Sequence, residues 1–233
     1  MMKTGMMMAT IKLLAMIVMM SALSGCGGAT FTKGNMNPFK DNEKIGILVA
    51  KYEVLSPGMF TSVHVHEKVD KAVADKMTEV MKEKLIRSGF TPVVIPADEK
   101  VADLVKRYKS VPRNFRRVIS EPDKVDLGNL DELFKENGIN FLLVFEGESV
   151  IRPTALKSFL SAGVSTAVGL AFNTVVGGGG QPFTYTYTGV AERDGTLSYY
   201  DREQFSKHGD VLAPQDRDGI GEAIVRGWVK SRQ

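Results

Sequence analysis

Hydrophobic residues recur at two spacings along the chain, and each spacing predicts one kind of element. From Glu67 onward, apolar residues step by three or four with lysine and glutamate between them, which predicts one long helix ending near Gly89. A short continuous apolar run at 45–50 predicts a strand buried on both faces, and residues 91–95 predict a second strand that ends at Pro96. A strand, a long helix and a strand in that order imply a right-handed crossover between parallel strands.

The second half of the chain predicts two short helices and then a series of strands. Asp98 and Asp126 stand where they would act as N-caps of the two helices, and Gly138 ends the second one. This order predicts an α/β (α+β) fold, a single mixed β-sheet with helices packed on it. The remaining elements are strands at 141–151, 183–192 and 196–204, an Asp194-Gly195 hairpin turn, and a closing helix at about 217–231.

The amino-terminal residues have the order of an export signal. Two lysines and no acid precede an apolar stretch at 13–23, and small residues follow it. That stretch is far shorter than the roughly 20 residues a helix needs to cross a bilayer. We therefore predict a signal peptide at 1–25, a flexible tether rich in glycine, asparagine and threonine at 26–43, and one domain at 44–233.

Cys26 is the only cysteine of the chain, so no internal disulfide can form. Leu23-Ser24-Gly25-Cys26 resembles the lipobox of bacterial lipoproteins. The resemblance implies cleavage between Gly25 and Cys26 and acylation of the cysteine, and several acyl chains on one residue give durable membrane attachment. Gly27, where aspartate would resemble an inner-membrane retention signal, favours the outer membrane, with the domain facing the periplasm. The alternative is an ordinary secretory signal with an incidental cysteine.

Charge and motifs exclude several classes of function. The chain holds 30 basic and 27 acidic residues, a balance that does not indicate nucleic-acid binding. It has no Gly-x-Ser-x-Gly elbow, no phosphate-binding loop and no His-Glu-x-x-His motif. His64 and His66 would share one side of an extended segment, but without a recognisable set of further ligands we interpret them as solvent-facing. The sequence predicts no catalytic residue, metal, cofactor or small-molecule substrate.

An uncharged segment interrupts the predicted strands. From Ser158 to Ala191 no residue is charged, and an insert rich in glycine and alanine occupies 154–181. Its spacing fits a helix and a membrane-hairpin strand equally well. The segment at 158–180 either packs on the domain or touches a membrane or another copy. The residues predicted for such a contact are Leu160, Val164, Val168 and Phe172.

A basic cluster follows the first short helix, with Tyr108 and Phe115 interleaved. It is either a solvated loop or a patch for an anionic partner such as lipid, peptidoglycan or an acidic protein surface. Its members are Lys106, Arg107, Lys109, Arg113, Arg116 and Arg117.

The element order behind the lipobox resembles two envelope families. The strand KIGILVA, the helix end RSGF, the strand INFLLVFEGES and the hairpin GVAERDGTLSYYD are similar to the α/β domain of the curli secretion channel and to the amino-terminal domain of TolB. The resemblance implies a lipid-anchored, non-catalytic protein that binds an envelope partner or forms a homo-oligomer, in secretion or envelope biogenesis. The alternatives are a pore subunit that uses the segment at 158–180 and an envelope enzyme with an unrecognised site.

Overall fold

The described part of the chain contains seven strands that pair into one mixed sheet. The computed structural model describes residues 29–32, 42–57, 62–65, 67–111, 125–151, 182–206 and 209–230. The strands are β1 Ala29–Thr32, β2 Lys44–Pro57, β3 Ser62–His64, β4 Thr91–Val94, β5 Phe141–Val150, β6 Phe183–Ala191 and β7 Leu197–Phe205. The helices are α1 Glu67–Arg87, α2 Ala102–Tyr108, α3 Asp131–Asn137 and α4 Pro214–Lys230, with a 3-10 turn at Glu99–Val101 ahead of α2.

The strand order across the sheet is β1-β7-β6-β5-β2, and two short strands share the outer edge of β2. There β4 runs parallel to the beginning of β2, and β3 runs antiparallel to its end. β5 is parallel to β2, while β6, β7 and β1 continue the sheet with antiparallel pairs. The predicted α/β fold and the parallel pairing around α1 are confirmed. We call the end of the sheet where β2, β5 and β7 finish the upper end.

Each face of the sheet is covered by its own pair of helices. On face A, α1 and α4 bury their apolar stripes against Ile47, Leu143 and Tyr199. On face B, α2 and α3 cover Leu48, Val144 and other residues of the lower half. Burial on both faces explains why β2 and β5 begin as continuous apolar runs. The buried helix residues include Val69, Val73, Met77, Met81, Leu85, Ile220, Ile224 and Trp228 on face A and Leu104, Tyr108 and Phe134 on face B.

A β-bulge in β2 changes which residues point to each face. The pairing with β5 shifts between Val49 and Lys51, which leaves Ala50 as the additional residue. Ile47 before the bulge and Tyr52 after it therefore both lie in the face A core, although one position is odd and the other even. Lys51 and Glu53 consequently point to face B.

The structure differs from the sequence prediction in three places: the strand β1, the end of β2 and the start of α3. Within the segment predicted as a tether, β1 pairs with β7 at the edge of the sheet. β2 continues to Pro57, well past the predicted run at 45–50. The helix predicted after Asp126 begins only at Asp131, because the Asp126 carboxylate accepts a hydrogen bond from the Gly128 N–H within a turn instead of capping a helix.

The predicted helix ends are confirmed. Gly89 and Gly138 both have a positive φ, as expected for left-handed residues that end helices. Asp98 caps the 3-10 turn, where its side chain accepts from the Lys100 N–H. Within the described ranges, no helix combines the length and apolarity that crossing a bilayer requires.

Candidate functional site

The upper half of face B carries charged and aromatic side chains instead of an apolar core. It begins where the cover by α2 and α3 ends, and its side chains come from β2, β5, β6 and β7. We call this surface the open face. All of its members are partly or fully exposed. They are Lys51, Glu53, Glu146, Glu148, Tyr185, Tyr187, Arg202 and Gln204.

Strand register arranges these side chains in two rows across four strands. Directly opposed residues on one face lie about 4.5–5.5 Å apart at Cβ, so each row is a set of touching neighbours. Neither row is visible in the linear sequence, because its members come from four separate strands. The first row is Lys51, Glu146, Tyr187 and Arg202, and the second is Glu53, Glu148, Tyr185 and Gln204.

Two contacts hold the charged members in place. The Lys51 Nζ lies 2.8 Å from the Glu53 Oε1 along one strand. The Arg202 guanidinium lies 5.8 Å from the ring centres of both Tyr185 and Tyr187. At this distance a cation is attracted to the ring face, so Arg202 holds both tyrosine rings in place.

Burial and charge together determine the state of the tyrosine hydroxyls. Burial raises the pKa of Tyr187, and the nearby Arg202 charge opposes that shift. Burial also raises the pKa of Tyr200, whose hydroxyl has no hydrogen-bond partner in the part of the chain that the structure describes. Both phenols are therefore protonated at neutral pH.

The border between the covered half of face B and the open face is formed by Tyr108 of α2. Its ring lies close to Gly189, where a Cβ would approach the ring within 2.8 Å. Its hydroxyl donates to the Tyr187 carbonyl oxygen at 3.0 Å. This contact ties the end of α2 to β6 at the point where the polar rows begin.

On the other side of the same strands, face A is closed by a chain of buried hydroxyls. The Tyr52 hydroxyl lies 2.7 Å from the Ser149 Oγ, which lies 2.7 Å from the Thr184 Oγ1. Thr184 donates to the Gly209 carbonyl oxygen at 2.7 Å. Since each hydroxyl has one proton, Ser149 donates to Thr184 and Tyr52 donates to Ser149. These hydrogen bonds fasten the segment before α4 onto the sheet.

The predicted basic cluster is described only in its first half. Lys106, Arg107 and Lys109 are exposed on or just after α2. The Arg107 Nε donates to the Asp103 Oδ2 at 2.7 Å, and this bond raises the pKa of Arg107. One of the three cations is thus already paired with an acid. Arg113, Arg116 and Arg117 lie outside the described residues.

The other predicted site residues also lie outside the described ranges. This applies to the cleavage and acylation site at Gly25 and Cys26 and to the predicted contact residues Leu160, Val164, Val168 and Phe172. His64 is placed in β3, and His66 lies outside the described residues. Among the described side chains, no group of three or more His, Cys, Asp or Glu residues is arranged to hold a metal ion.

A groove of about 450 Å³ runs along the outer side of α1. Most of its charged side chains belong to the exposed surface of that helix. It supplies no buried nucleophile and base in contact, so it adds nothing to the enzyme alternative, and the expectation that the chain is not an enzyme stays a prediction. Its lining residues are Asp75, Lys76, Thr78, Glu79, Val80, Glu83, Val94 and Arg217.

The open face was missed by reasoning from the sequence. The alternation of Tyr185 and Tyr187 with threonines predicted a strand with two different faces, but it did not indicate which face is covered. The bulge at Ala50 also reverses the side to which Lys51 points, and a bulge leaves no clear local signal.

Comparison with known proteins finds a distant structural similarity to a lipoprotein of known structure. No protein-family model matches the chain, and no curated protein matches it. Among solved structures, the chain is similar to the lipoprotein GNA1162 from Neisseria meningitidis, with a TM-score of 0.32 and 11% sequence identity, over 80% of this chain and 96% of that chain. This degree of similarity is too low to establish a shared fold or activity. The resemblance to the curli secretion channel and to TolB stays a prediction.

Proposed function

We propose that this chain is a lipid-anchored, non-catalytic lipoprotein of the cell envelope that binds a partner protein through the open face. Cys26 anchors it to the outer membrane, and the domain faces the periplasm. The single observation that carries the binding role is the pair of ordered rows on the open face, where Arg202 lies over Tyr185 and Tyr187.

The chemistry of the open face suits a protein partner. Tyrosine and arginine are the residues most often found at the energetic centres of protein interfaces. Two tyrosines already held by a cation lose little side-chain freedom when a partner binds. Glu53, Glu146 and Glu148 outnumber the two cations of the surface, so the partner presents basic and hydrogen-bond-donating groups.

A site-specific photo-crosslinker tests the binding role. We expect a crosslinking side chain at position 185, in the acylated protein in intact cells, to give one discrete adduct with a different protein. Lys76, exposed on α1 away from the open face, is the matched control position and should give no adduct of that mass. Replacing Arg202 by glutamine should reduce the adduct from position 185 at least several-fold, because the ordering cation is lost and no further acid is added.

The outcomes separate the possible occupants. Equal adducts from positions 185 and 76, or an adduct that is insensitive to Arg202→Gln, would contradict binding through the open face. An adduct at twice the mass of the chain would assign the surface to a second copy instead.

The lipid anchor has its own test. Cys26→Ser should release the protein from the membrane fraction or leave an uncut precursor, because no thiol remains to accept the diacylglycerol. Mass spectrometry of the mature amino terminus provides the direct measurement. Processed Cys26→Ser protein that remains membrane-bound would contradict acylation as the anchor.

A further inference from the structure

The strand β1 shortens the connection between the lipid and the folded domain. Only two residues separate Cys26 from Ala29, the first residue of β1. A fully extended chain covers at most about 3.6 Å per residue, so Cys26 lies within about 11 Å of Ala29 whatever path the chain takes. The predicted tether of 26–43 would instead reach roughly 60 Å by the same rule. An acylated Cys26, which is part of the proposed function, therefore holds one particular edge of the sheet close to the bilayer.

The position of Ala29 in the sheet identifies that edge. Ala29 is opposite Arg202 on β7, and Thr32 is opposite Tyr199, so β1 begins nearer the upper end and runs away from it. β7 finishes at Phe205, three residues beyond Arg202. At about 3.3 Å per residue, the upper end of β7 lies about 10 Å from the level of Ala29, which is comparable to the reach of the lipid connection.

The side chains at this corner suit a membrane interface. Phe183 and Phe205 lie at the upper ends of β6 and β7, and both are partly exposed there. Phenylalanine is among the apolar residues that sit at the boundary between headgroups and acyl chains.

The diagonally opposite corner of the domain lies far from the anchor. It is formed by β4 and by the end of α1, where the Asn42 N–H donates to the Gly89 carbonyl oxygen at 3.1 Å. Five strand spacings of about 4.8 Å separate the β1 edge from the β4 edge, which places this corner at least about 24 Å from β1. Ser88 is exposed there.

We propose that the corner formed by β1 and the upper ends of β6 and β7 rests on the bilayer surface, and that the corner at β4 and the end of α1 points away from it. The domain is thus held in one orientation by a short connection. A domain attached through a long flexible tether would instead take many orientations relative to the bilayer.

Introduced thiols provide the test, because acylation would leave the chain without any free cysteine. Ser206→Cys at the upper end of β7 and Ser88→Cys at the far corner are a matched pair, since both serines are exposed and the change is conservative. Each acylated variant is labelled with a fluorophore in phosphatidylethanolamine–phosphatidylglycerol vesicles that carry headgroup quenchers. We expect quenching at position 206 to be several-fold stronger than at position 88. Equal quenching would overturn the proposal.

Two insertions identify the cause of the asymmetry. A glycine-serine insertion of about twelve residues between Gly28 and Ala29 lengthens the connection from the lipid to β1 and should make the two positions equally quenched. The same insertion between Lys33 and Gly34 leaves that connection unchanged and should preserve the difference. Asymmetry that survives the first insertion would also overturn the proposal.

Failure of the anchor is measured separately. Mass spectrometry of the same protein reports whether Cys26 is acylated. An acylated protein with equal quenching contradicts the orientation alone, whereas an unmodified amino terminus contradicts the proposed lipid anchor.

Discussion

The two faces of the upper half of the sheet are built from the same strands and are polar on both sides, yet they have opposite roles. On face A, Tyr52, Ser149 and Thr184 are buried and pass hydrogen bonds inward to the Gly209 carbonyl oxygen. On the open face, neighbouring residues such as Lys51 and Glu148 are charged and partly exposed. Polarity alone therefore does not indicate which face of a strand meets solvent.

The difference lies in the type of polar group and in what packs above it. A hydroxyl has one proton to donate, so a short chain of hydroxyls that ends at a carbonyl oxygen satisfies every proton without water. Burying a carboxylate or an amine costs more free energy, because the charged group loses its hydration. Small hydroxyls thus permit the segment before α4 to close face A, and charges keep the other face open.

The largest expected effect comes from removing the aromatic ring on the closed face. Tyr52→Ala should lower the free energy of unfolding by about 3–5 kcal/mol, because it leaves a cavity and removes the first donor of the hydroxyl chain. Tyr185→Ala on the open face is the control and should cost about 1 kcal/mol. Urea denaturation followed by circular dichroism measures both. Equal losses would mean that the two faces are equally buried.

Glycine substitutions sharpen the comparison at the level of packing. A Cβ at Gly147 would overlap the Tyr52 ring, so Gly147→Ala should destabilise the fold by about 1–3 kcal/mol. Gly219 lies in α4 with no heavy atom near the added carbon, and Gly219→Ala should stabilise by about 0.4–1 kcal/mol. Thermal melts of the two variants should shift in opposite directions. A shift in the same direction would contradict the tight contact beneath Tyr52.

The border of the open face is tested by one hydroxyl. Tyr108→Phe removes the donor to the Tyr187 carbonyl oxygen and should cost about 1 kcal/mol. Tyr185→Phe, which changes the same atom on the exposed surface, should stay within about 0.5 kcal/mol of the wild type. If Tyr108→Phe were as neutral as its control, the contact would not fasten α2 to β6.

The smallest expected effect is a pH dependence on face A. Burial and the neighbouring Asp201 raise the pKa of Glu203 above its value in the unfolded chain. Folding is therefore opposed by ionisation of Glu203, and this cost appears as pH rises through the unfolded pKa and is complete above the folded pKa. Glu203→Gln should be more stable than the wild type at pH 7 by less than about 1 kcal/mol, since the group is half exposed.

The free energies of unfolding of the wild type and of Glu203→Gln should converge at acidic pH, where Glu203 is protonated in both the folded and the unfolded state. Melting temperatures measured across the acid range provide the check. A constant difference at every pH would assign the effect to the amide itself and not to the lost charge.

Much of the fold could be predicted from local patterns. The spacing of apolar residues predicted α1, and glycines with a positive φ ended α1 and α3 as expected. The Asp194-Gly195 dipeptide predicted the hairpin between β6 and β7, whose turn contains Gly195 with a positive φ. These signals succeed because they act within a few residues, where backbone sterics and side-chain direction decide the outcome.

Two other parts of the fold could not be predicted in the same way. The strand β1 is only four residues long and follows two glycines, and it is held in the sheet by its pairing with the edge of β7. Asp126 has the side chain of an N-cap, but its turn pairs with Thr196 across the fold, and the helix begins later. In both places a distant partner overrode the local preference.

Element types, element order and the resemblance of Leu23-Ser24-Gly25-Cys26 to a lipobox were readable in the linear chain, because each depends on neighbours along the backbone. Only the tertiary structure brings Lys51, Glu146, Tyr187 and Arg202 into one row and pairs β1 with β7 at the edge of the sheet. Strand register and the bulge at Ala50 set those neighbours, and a shift of one residue would reverse every side chain. Such pairing depends on hydrogen bonds between segments far apart in the chain, which no local spacing encodes.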